Sequence, residues 1–207
     1  ALMVMLKGAF IYPGSLGYTL YYTTNFIFTG LAVATAFHAK LFNIGGEGQA
    51  YVGSLGVLLA AAIFAQYLPS LLVIILCIFC SALFGAAWAI IPGYLQAKRG
   101  SHIVITTIMF NFLASSLMVW LLSGMLMEKG QQSPQSNLLP ENIRLPKVQN
   151  AFEVLGINIS SSPMNLSFIV ALIALLLFWI LIWKTRLGYE IRAVGKNQDA
   201  ANYAGIN

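Results

Sequence analysis

The sequence predicts an all-α fold, a polytopic transmembrane helical bundle, and three observations lead to that prediction. Hydrophobic residues make up 59% of the 207 residues and charged residues only 8%, and the mean hydropathy is +0.81. A soluble domain carries about 25% charged residues, so this composition could not cover a water-facing surface. The apolar residues are also gathered into long stretches, and no alternating pattern of about ten residues recurs as a membrane β-barrel requires.

Five stretches are long enough to cross the hydrocarbon, which takes about 20 mostly apolar residues in a helix. None of them contains Asp, Glu, Lys or Arg, and each is expected to be helical because backbone groups in lipid need partners within the segment. The predicted spans are 18–36, 49–67, 70–91, 103–123 and 165–183. Pro69 is expected to begin the third span, and Pro92 with Gly93 to end it, because proline cannot continue a helix.

The placement of Lys and Arg predicts the orientation. With five alternating spans, one side of the membrane holds seven of the eleven basic residues in 37–48, 92–102 and 184–207, and the other holds four in 1–17, 68–69 and 124–164. The positive-inside rule assigns the richer side to the cytoplasm. The seven are Lys40, Lys98, Arg99, Lys184, Arg186, Arg192 and Lys196, and the four are Lys7, Lys129, Arg144 and Lys147.

The long polar loop at 124–164 is therefore expected outside the cytoplasm, as a partner-binding loop or as a connector.

The sequence gives little support for nucleic-acid binding, for redox or metal sites, or for catalysis. The basic residues form no face for nucleic acid, and Cys77 and Cys80 lie in an apolar run where core packing is the simpler interpretation. His38 and His102 are isolated, so no metal site is predicted. There is no GxxxxGK[ST] loop and no nucleophile with an arranged base, so we expect this chain not to be an enzyme.

A glycine-rich segment, residues 42–49, separates the first two spans and contains Glu47. Glycines at 45, 46 and 48 are expected to interrupt helical structure. A carboxylate at the bilayer centre costs roughly 2.5–3.5 kcal/mol, so Glu47 needs either an interfacial position or buried partners. Two interpretations stay open: a cytoplasmic turn with a solvated Glu47, or a broken helix beside a polar pathway of the kind that transporters use.

Two uncharged polar residues lie within predicted spans. Asn111 falls near the middle of the fourth span, where its amide needs a partner from another helix or lines a polar path. Asn25 in the first span has the same two interpretations.

The tail (residues 184–207) mixes charged and small residues over a short amphipathic stretch. Ala200, Ala201 and Ala204 are expected to share one helical face, since residues three and four apart are neighbours on a helix. Such a face would let another protein approach closely, so the tail is either a docking surface for a soluble partner or an ordinary loop helix.

These motifs together resemble a known family. The sequence is similar to the permease subunits of bacterial ATP-binding cassette importers for ribose-like sugars and nucleosides, and the related branched-chain amino acid permeases share the Asn-Ile-Gly core less fully. Gly46 stands where that pattern more often has Ala. The segments that carry the resemblance are 29–34, Phe42-Asn43-Ile44-Gly45-Gly46-Glu47-Gly48-Gln49, Thr107-Ile108-Met109-Phe110-Asn111 and 188–205 with Arg192-Ala193-Val194-Gly195.

The resemblance implies a multi-pass protein of the bacterial plasma (inner) membrane that translocates a small polar solute, a simple sugar or nucleoside. It implies a second permease subunit, an ATPase subunit that uses the ATP, and an extracytoplasmic solute-binding protein, with no cofactor on this chain. Residues 1–207 would form one transmembrane permease domain truncated at both ends, with the tail as its cytoplasmic ATPase-coupling segment. The alternative is a secondary transporter or channel driven by an ion gradient.

Alternating access is the mechanism expected from the resemblance, and the polarity of Glu47 and Asn111 at membrane depth gives these two residues expected roles within it. Glu47 would brace the broken helix, and movement of the tail by the ATPase would open a central path alternately to each side. The expected substrate-path residues are Asn43, Glu47, Gln49 and Asn111. The expected ATPase-coupling residues are Arg192, Gly195, Asn197, Ala200, Ala201 and Gly205.

Overall fold

The structure, a computed structural model, describes residues 1–128, 130, 132–154 and 160–206, apart from the side chains of residues 151 and 154. The expectations that involve Lys129, residues 155–159 of the 124–164 loop, and Asn207 lie outside that description. Within it, the regular elements are helices. They are α1 Leu2–Phe10, α2 Ser15–His38, α3 Gly46–Phe64, α4 Ser70–Arg99, α5 Ile103–Ser123, a 3₁₀ turn Glu141–Ile143, α6 Val148–Val154, α7 Ser167–Lys184, α8 Arg186–Lys196 and α9 Gln198–Tyr203.

Four helices, α3, α4, α5 and α7, are long and apolar enough to cross a membrane. Their large side chains point outward: Phe79 is 61% exposed, Phe112 68% and Trp120 64%. Such faces are suited to lipid rather than to water. The predicted helical bundle is confirmed, and four of the five predicted spans coincide with helices that could cross a membrane. Helix α2 has 24 residues but falls outside this group, because its Tyr, Thr, Gly and Asn residues make it less apolar, so its span stays a prediction.

The predicted end of the third span at Pro92 and Gly93 is wrong. Helix α4 continues to Arg99 with Pro92 inside it. A proline removes one backbone donor, and a helix within a membrane protein tolerates that loss where neighbouring groups compensate. The helix ends instead at Gly100, whose φ of +66° is a left-handed conformation that glycine adopts without strain.

The chain forms two compact units. The terminal unit is Ala1–Leu41 with Leu145–Asn207, and the central unit is Phe42–Arg144. In the terminal unit α2 packs along α7, and the short helix α8 contacts the ends of both. Two backbone hydrogen bonds join residues 146–148 to the residues that lead into α7, from Val148 N to Met164 O (3.0 Å) and from Leu166 N to Pro146 O (3.2 Å). Part of the predicted 124–164 loop is thus helical, as α6 and the 3₁₀ turn.

In the central unit, α3 packs closely on α4 through glycines. Gly53 and Gly56 are both buried. A Cβ added to Gly56 would lie 2.6 Å from the carbonyl oxygen of Cys80, and one added to Gly53 would lie 3.1 Å from Ser81 Oγ. Small residues at such a contact let two backbones approach, which is a main source of helix association in lipid.

A small apolar core continues along the same interface. Ala60, Ala61, Val73 and Cys77 are buried together, and Cys80 packs against them. Both cysteines are free thiols, and Cys77 Sγ lies 3.8 Å from the Val57 carbonyl oxygen. The core-packing interpretation of Cys77 and Cys80 agrees with this arrangement.

Replacing Gly56 by Ala should destabilise the chain by about 1–3 kcal/mol, since the new methyl group meets the Cys80 backbone and α3 has to move away from α4. The free energy of unfolding can be measured by titrating SDS into detergent micelles. Gly30→Ala is the matched control, because a Cβ at Gly30 meets nothing within 4 Å and Ala is the better helix former. Equal effects of the two substitutions would contradict the proposed packing.

Candidate functional site

The glycine junction (residues 42–48) leads the chain into α3. Gly45 is the N-cap of α3, and Gly46, Glu47 and Gly48 form its first turn. The Asn43 side chain accepts a hydrogen bond from the Gly45 amide at 2.8 Å, an Asx turn that bends the chain towards the helix. The helix therefore begins three residues earlier than the predicted span, so two of the three glycines expected to break helical structure lie within it.

Two side chains of α5 hold the junction. Thr107 Oγ1 accepts from the Ile44 amide at 3.3 Å, and Asn111 Nδ2 donates to the Ile44 carbonyl at 2.9 Å. Asn111 Oδ1 also accepts from the Gly48 amide at 2.9 Å. Thr107 and Asn111 are four residues apart, one turn of the same helix face, which is why both reach Ile44.

The amide of Gly48 is one of the four donors that a helix start leaves without a partner. Asn111 satisfies it from a neighbouring helix and so acts as an N-cap supplied by α5 rather than by α3 itself. Of the two interpretations of Asn111, helix packing is therefore the one with contacts behind it, since its donor and its acceptor are both engaged.

Glycine is required where the junction meets α4 and α5. A Cβ on Gly48 would lie 2.9 Å from Asn111 Oδ1 and 3.1 Å from both Trp88 Nε1 and the Phe110 carbonyl oxygen. The Trp88 ring packs edge-on against Phe110, with centroids 5.3 Å apart. Trp88 Nε1 is buried and has no hydrogen-bond partner within the described residues.

Glu47 was expected to stabilise the junction, but other residues do so. The Glu47 side chain is exposed, and it makes no hydrogen bond or ion pair to the part of the chain that the structure describes. Its position in the first turn of α3 suits a negative charge, because the N-terminal end of a helix carries partial positive charge. Gln49 is half-buried beside Gly45. Lining of a substrate path by Asn43, Glu47, Gln49 or Asn111 stays a prediction.

The tail is fastened to α7 at the start of α8. Thr185 is the N-cap of α8: its Oγ1 accepts from the Gly188 amide at 3.1 Å and donates to the Leu181 carbonyl at 2.6 Å. Gly188 is buried, and a Cβ there would collide with the carbonyl oxygens of Leu181 and Ile182. The first turn of α8 thus packs directly on the backbone of the last turn of α7.

The other end of α8 lies on the end of α2. Gly195 is buried, and a Cβ there would collide with the His38 carbonyl oxygen. Lys40 Nζ donates to the Lys196 carbonyl oxygen at 3.2 Å. Helix α8 therefore meets its neighbours backbone against backbone at two places, on α7 at Gly188 and on the end of α2 at Gly195.

Arg192 lies between these two contacts and is half-buried. Its guanidinium lies 4.5 Å from the centre of the Trp183 ring, and its Nε donates to the Gly188 carbonyl at 3.3 Å. A cation over an aromatic face is attracted by the ring quadrupole. Arg192, expected among the coupling residues, therefore fixes α8 on α7 from within the chain.

Helix α9 has well-formed ends. Asn197 Oδ1 accepts from the Ala200 amide at 3.0 Å, which caps the helix start. Gly205 has a φ of +79°, and the Ile206 amide donates to the Ala201 carbonyl at 2.9 Å, the pattern of a Schellman end. Asn197 and Gly205, two of the expected coupling residues, thus set where α9 begins and ends.

The expected face of three alanines does not form. Ala201 is only 4% exposed, whereas Ala200 and Ala204 are exposed. Ala201 packs inward because it lies about 100° around the helix from Ala200. The outward side of α9 instead presents Ala200, Ala204 and Tyr203, which is 96% exposed.

Sequence reasoning missed several residues of these two regions. Thr107 had a detectable signal, since it lies four residues before Asn111, and Thr185 precedes Gly188 at N-cap spacing. Lys40 had none, because its role depends on a backbone conformation that the sequence pattern does not indicate.

Comparison with known proteins gives one family and several relatives. Residues 15–207 match the family described as branched-chain amino acid transport system / permease component. The guanosine ABC transporter permease protein NupP of Bacillus subtilis is 35% identical over 191 residues, which cover 92% of this chain and 52% of that protein. The nucleoside ABC transporter permease protein NupB of Lactococcus lactis is 36% identical over 199 residues, 93% of this chain and 52% of that protein.

A third relative has a different solute in its name. The glucose ABC transporter permease protein TsgB13 of Haloferax volcanii is 33% identical over 183 residues, 87% of this chain and 47% of that protein. The chain thus spans about half the length of the curated relatives it matches. No solved structure matches it.

Replacing Asn111 by Leu should lower the free energy of unfolding by about 1–3 kcal/mol, because it leaves the Gly48 amide and the Ile44 carbonyl without partners. Asn25→Leu is the control, since the Asn25 side chain is exposed and makes no hydrogen bond to the described residues; it should change stability by less than about 0.5 kcal/mol. SDS titration in micelles measures both. An Asn111→Leu variant as stable as Asn25→Leu would argue against the cap.

Proposed function

The chain belongs to the branched-chain amino acid transport system permease component family, and we propose that it is a membrane-spanning subunit of an ATP-binding cassette importer for a nucleoside. The chain would form part of the solute path and would use the energy of ATP through a separate ATPase subunit. We place the protein in a bacterial plasma membrane, with the tail on the cytoplasmic side.

One observation carries the proposal: α8 packs backbone against backbone on the ends of α7 and α2, and α9, which contacts α8, exposes one side. The fixed points are Gly188 on α7 and Gly195 on α2, where backbone meets backbone. The exposed side has Ala200, Ala204 and Tyr203. A short helix that presents two small residues and an aromatic ring outward suits docking into a groove of a soluble protein.

The mechanism follows from the rigidity of those contacts. Closure of a pair of ATPase subunits around ATP would displace α9, and α8 would move with it. Because α8 cannot shift towards α7 or α2 without backbone collision, the ends of both helices would follow. Movement of packed helices relative to others is a common way in which a transporter opens a site to alternate sides of a membrane.

The proposed solute class rests on the relatives. The names of NupP and NupB specify guanosine and nucleosides, and that of TsgB13 specifies glucose. A nucleoside offers hydroxyl groups and a flat base, so exposed amides and carboxylates within the membrane region would recognise it by hydrogen bonding. Glu47 is exposed and its side chain has no hydrogen-bond partner among the described residues, so it is the best-placed of the predicted path residues for that role. A simple sugar is the second candidate solute.

The proposed partners are an ATPase subunit, a second permease subunit and an extracytoplasmic solute-binding protein. The relatives are named as ABC transporter permeases, which are transport components rather than enzymes. An ion-gradient-driven transporter or channel is not favoured, because such a protein needs no docking helix for a motor and the relatives are named as ABC transporter permeases.

Ala200→Trp should weaken binding of the ATPase subunit roughly tenfold or more while leaving the thermal stability of the permease unchanged, because the indole fills the exposed docking side of α9. Asn137→Trp is the matched control: this residue is also exposed but belongs to the loop predicted on the opposite side of the membrane. Co-purification and microscale thermophoresis measure the affinity. The docking role fails if both variants bind the ATPase as tightly as the parent chain.

The complete importer in proteoliposomes should accumulate labelled guanosine only when ATP is supplied on the tail side. Unlabelled nucleosides should compete in excess, and glucose should not. A proton or sodium gradient without ATP should give no accumulation. Accumulation driven by an ion gradient alone would refute the proposed energy source, and competition by glucose but not by nucleosides would assign the protein to simple sugars.

A further inference from the structure

Lys40 has an unusual backbone conformation. It is the one residue other than glycine with a positive φ, +57°, in the part of the chain that the structure describes. Residues with a side chain rarely adopt this left-handed region, so a lysine held there calls for a physical reason.

The conformation belongs to the end of α2. The Lys40 amide donates to the Phe37 carbonyl at 2.9 Å, and the Leu41 amide donates to the Ala36 carbonyl at 3.0 Å. These two bonds make a Schellman motif, in which the left-handed position is usually occupied by glycine. Glycine would make the same turn without strain, so the turn alone does not explain the lysine.

The side chain of Lys40 supplies the reason. Its Nζ donates to the carbonyl oxygen of Lys196, the last residue of α8, at 3.2 Å. The last carbonyls of a helix lack partners within it and carry partial negative charge, so an ammonium group is well matched to them. The adjacent residue, Gly195, lies against the His38 carbonyl in the last turn of α2.

The neighbouring aromatic residues make the joint between α2 and α8 part of a larger contact. The His38 ring packs edge-on against Phe178 and Trp183 of α7, with centroids 5.9 and 6.2 Å apart. Trp183 in turn carries the Arg192 guanidinium of α8. Helix α8 therefore has more contact with α7 than with α2, whose end it meets at Gly195 and Lys40.

We propose that Lys40 is a positioning residue that locks the end of α8 to the end of α2, so that displacement of α8 and α9 by an ATPase is passed to α2 as well as to α7. This inference rests on the proposed function. The hydrogen bond is exposed to solvent, so it contributes little to stability. Its role is to make the end of α2 move together with α8. Without it α8 slides across the end of α2, and less solute is moved for each ATP hydrolysed.

Lys40→Gly separates coupling from folding, because glycine relieves the backbone strain while the amine is lost. In the complete importer in proteoliposomes, this variant should melt at or above the parent temperature and bind the ATPase normally. The amount of solute moved per ATP hydrolysed should fall roughly fivefold or more, which corresponds to the lower range of an allosteric coupling energy. Lys40→Arg keeps a donor of similar reach and should restore the ratio to within about twofold of the parent.

Lys98→Met is compared with Lys40→Met as the control for charge, since Lys98 is an exposed lysine in the last turn of α4 on the side of the membrane predicted for the tail. Lys98→Met should keep the parent ratio of solute to ATP, and Lys40→Met should lower it. The inference is overturned if Lys40→Gly keeps the parent ratio, if Lys40→Arg loses as much as Lys40→Gly, or if Lys98→Met loses as much as Lys40→Met. A parent chain that neither binds an ATPase nor transports with ATP overturns the proposed function itself, and this inference with it.

Discussion

A backbone amide or carbonyl left unpaired at a helix end cannot turn to water inside hydrocarbon, and the arrangement of this chain depends on how those groups are satisfied. At the glycine junction, Asn111 and Thr107 of α5 provide the partners for Ile44 and Gly48. A polar side chain on one helix thereby fixes the starting point of another. The absence of charged residues makes the spans compatible with lipid. The few amide and hydroxyl groups at the junction determine which arrangement the helices of the central unit adopt.

The helices of the tail also have capped ends. Thr185 and Asn197 cap α8 and α9 from within the segment, and Gly205 closes α9. With their ends satisfied, short helices of 11 and 6 residues hold their shape although neither is long enough to be stable alone. Glycines at 188 and 195 then bring α8 against the carbonyls of α7 and α2. Close backbone contact has little compliance, which is the property that a segment needs if it is to pass force from a soluble motor to membrane helices.

The sequence is most informative where hydrophobicity decides the structure. The fourth span was predicted to the residue as 103–123, because Ser101 and His102 precede its apolar residues and Gly124 follows them. Prediction fails where a local rule competes with tertiary contacts. Pro92 does not end α4, since a single missing donor is tolerated, and Gly46 lies inside α3 because α5 caps that helix from outside. The left-handed backbone of Lys40 and the burial of Ala201 follow from three-dimensional packing, which the pattern of a single sequence does not reveal.

The central claim is that the outward side of α9 meets a separate ATP-hydrolysing subunit. Site-specific photo-cross-linking tests it most directly, with a benzophenone amino acid in place of Tyr203, whose side chain is 96% exposed. In membranes that contain the complete importer, irradiation should join this chain to the ATPase subunit, and ATP should change the yield. The same probe at Asn137 should give no such product. A probe at residue 203 that reacts only with lipid or water, while the importer remains active, would contradict the account.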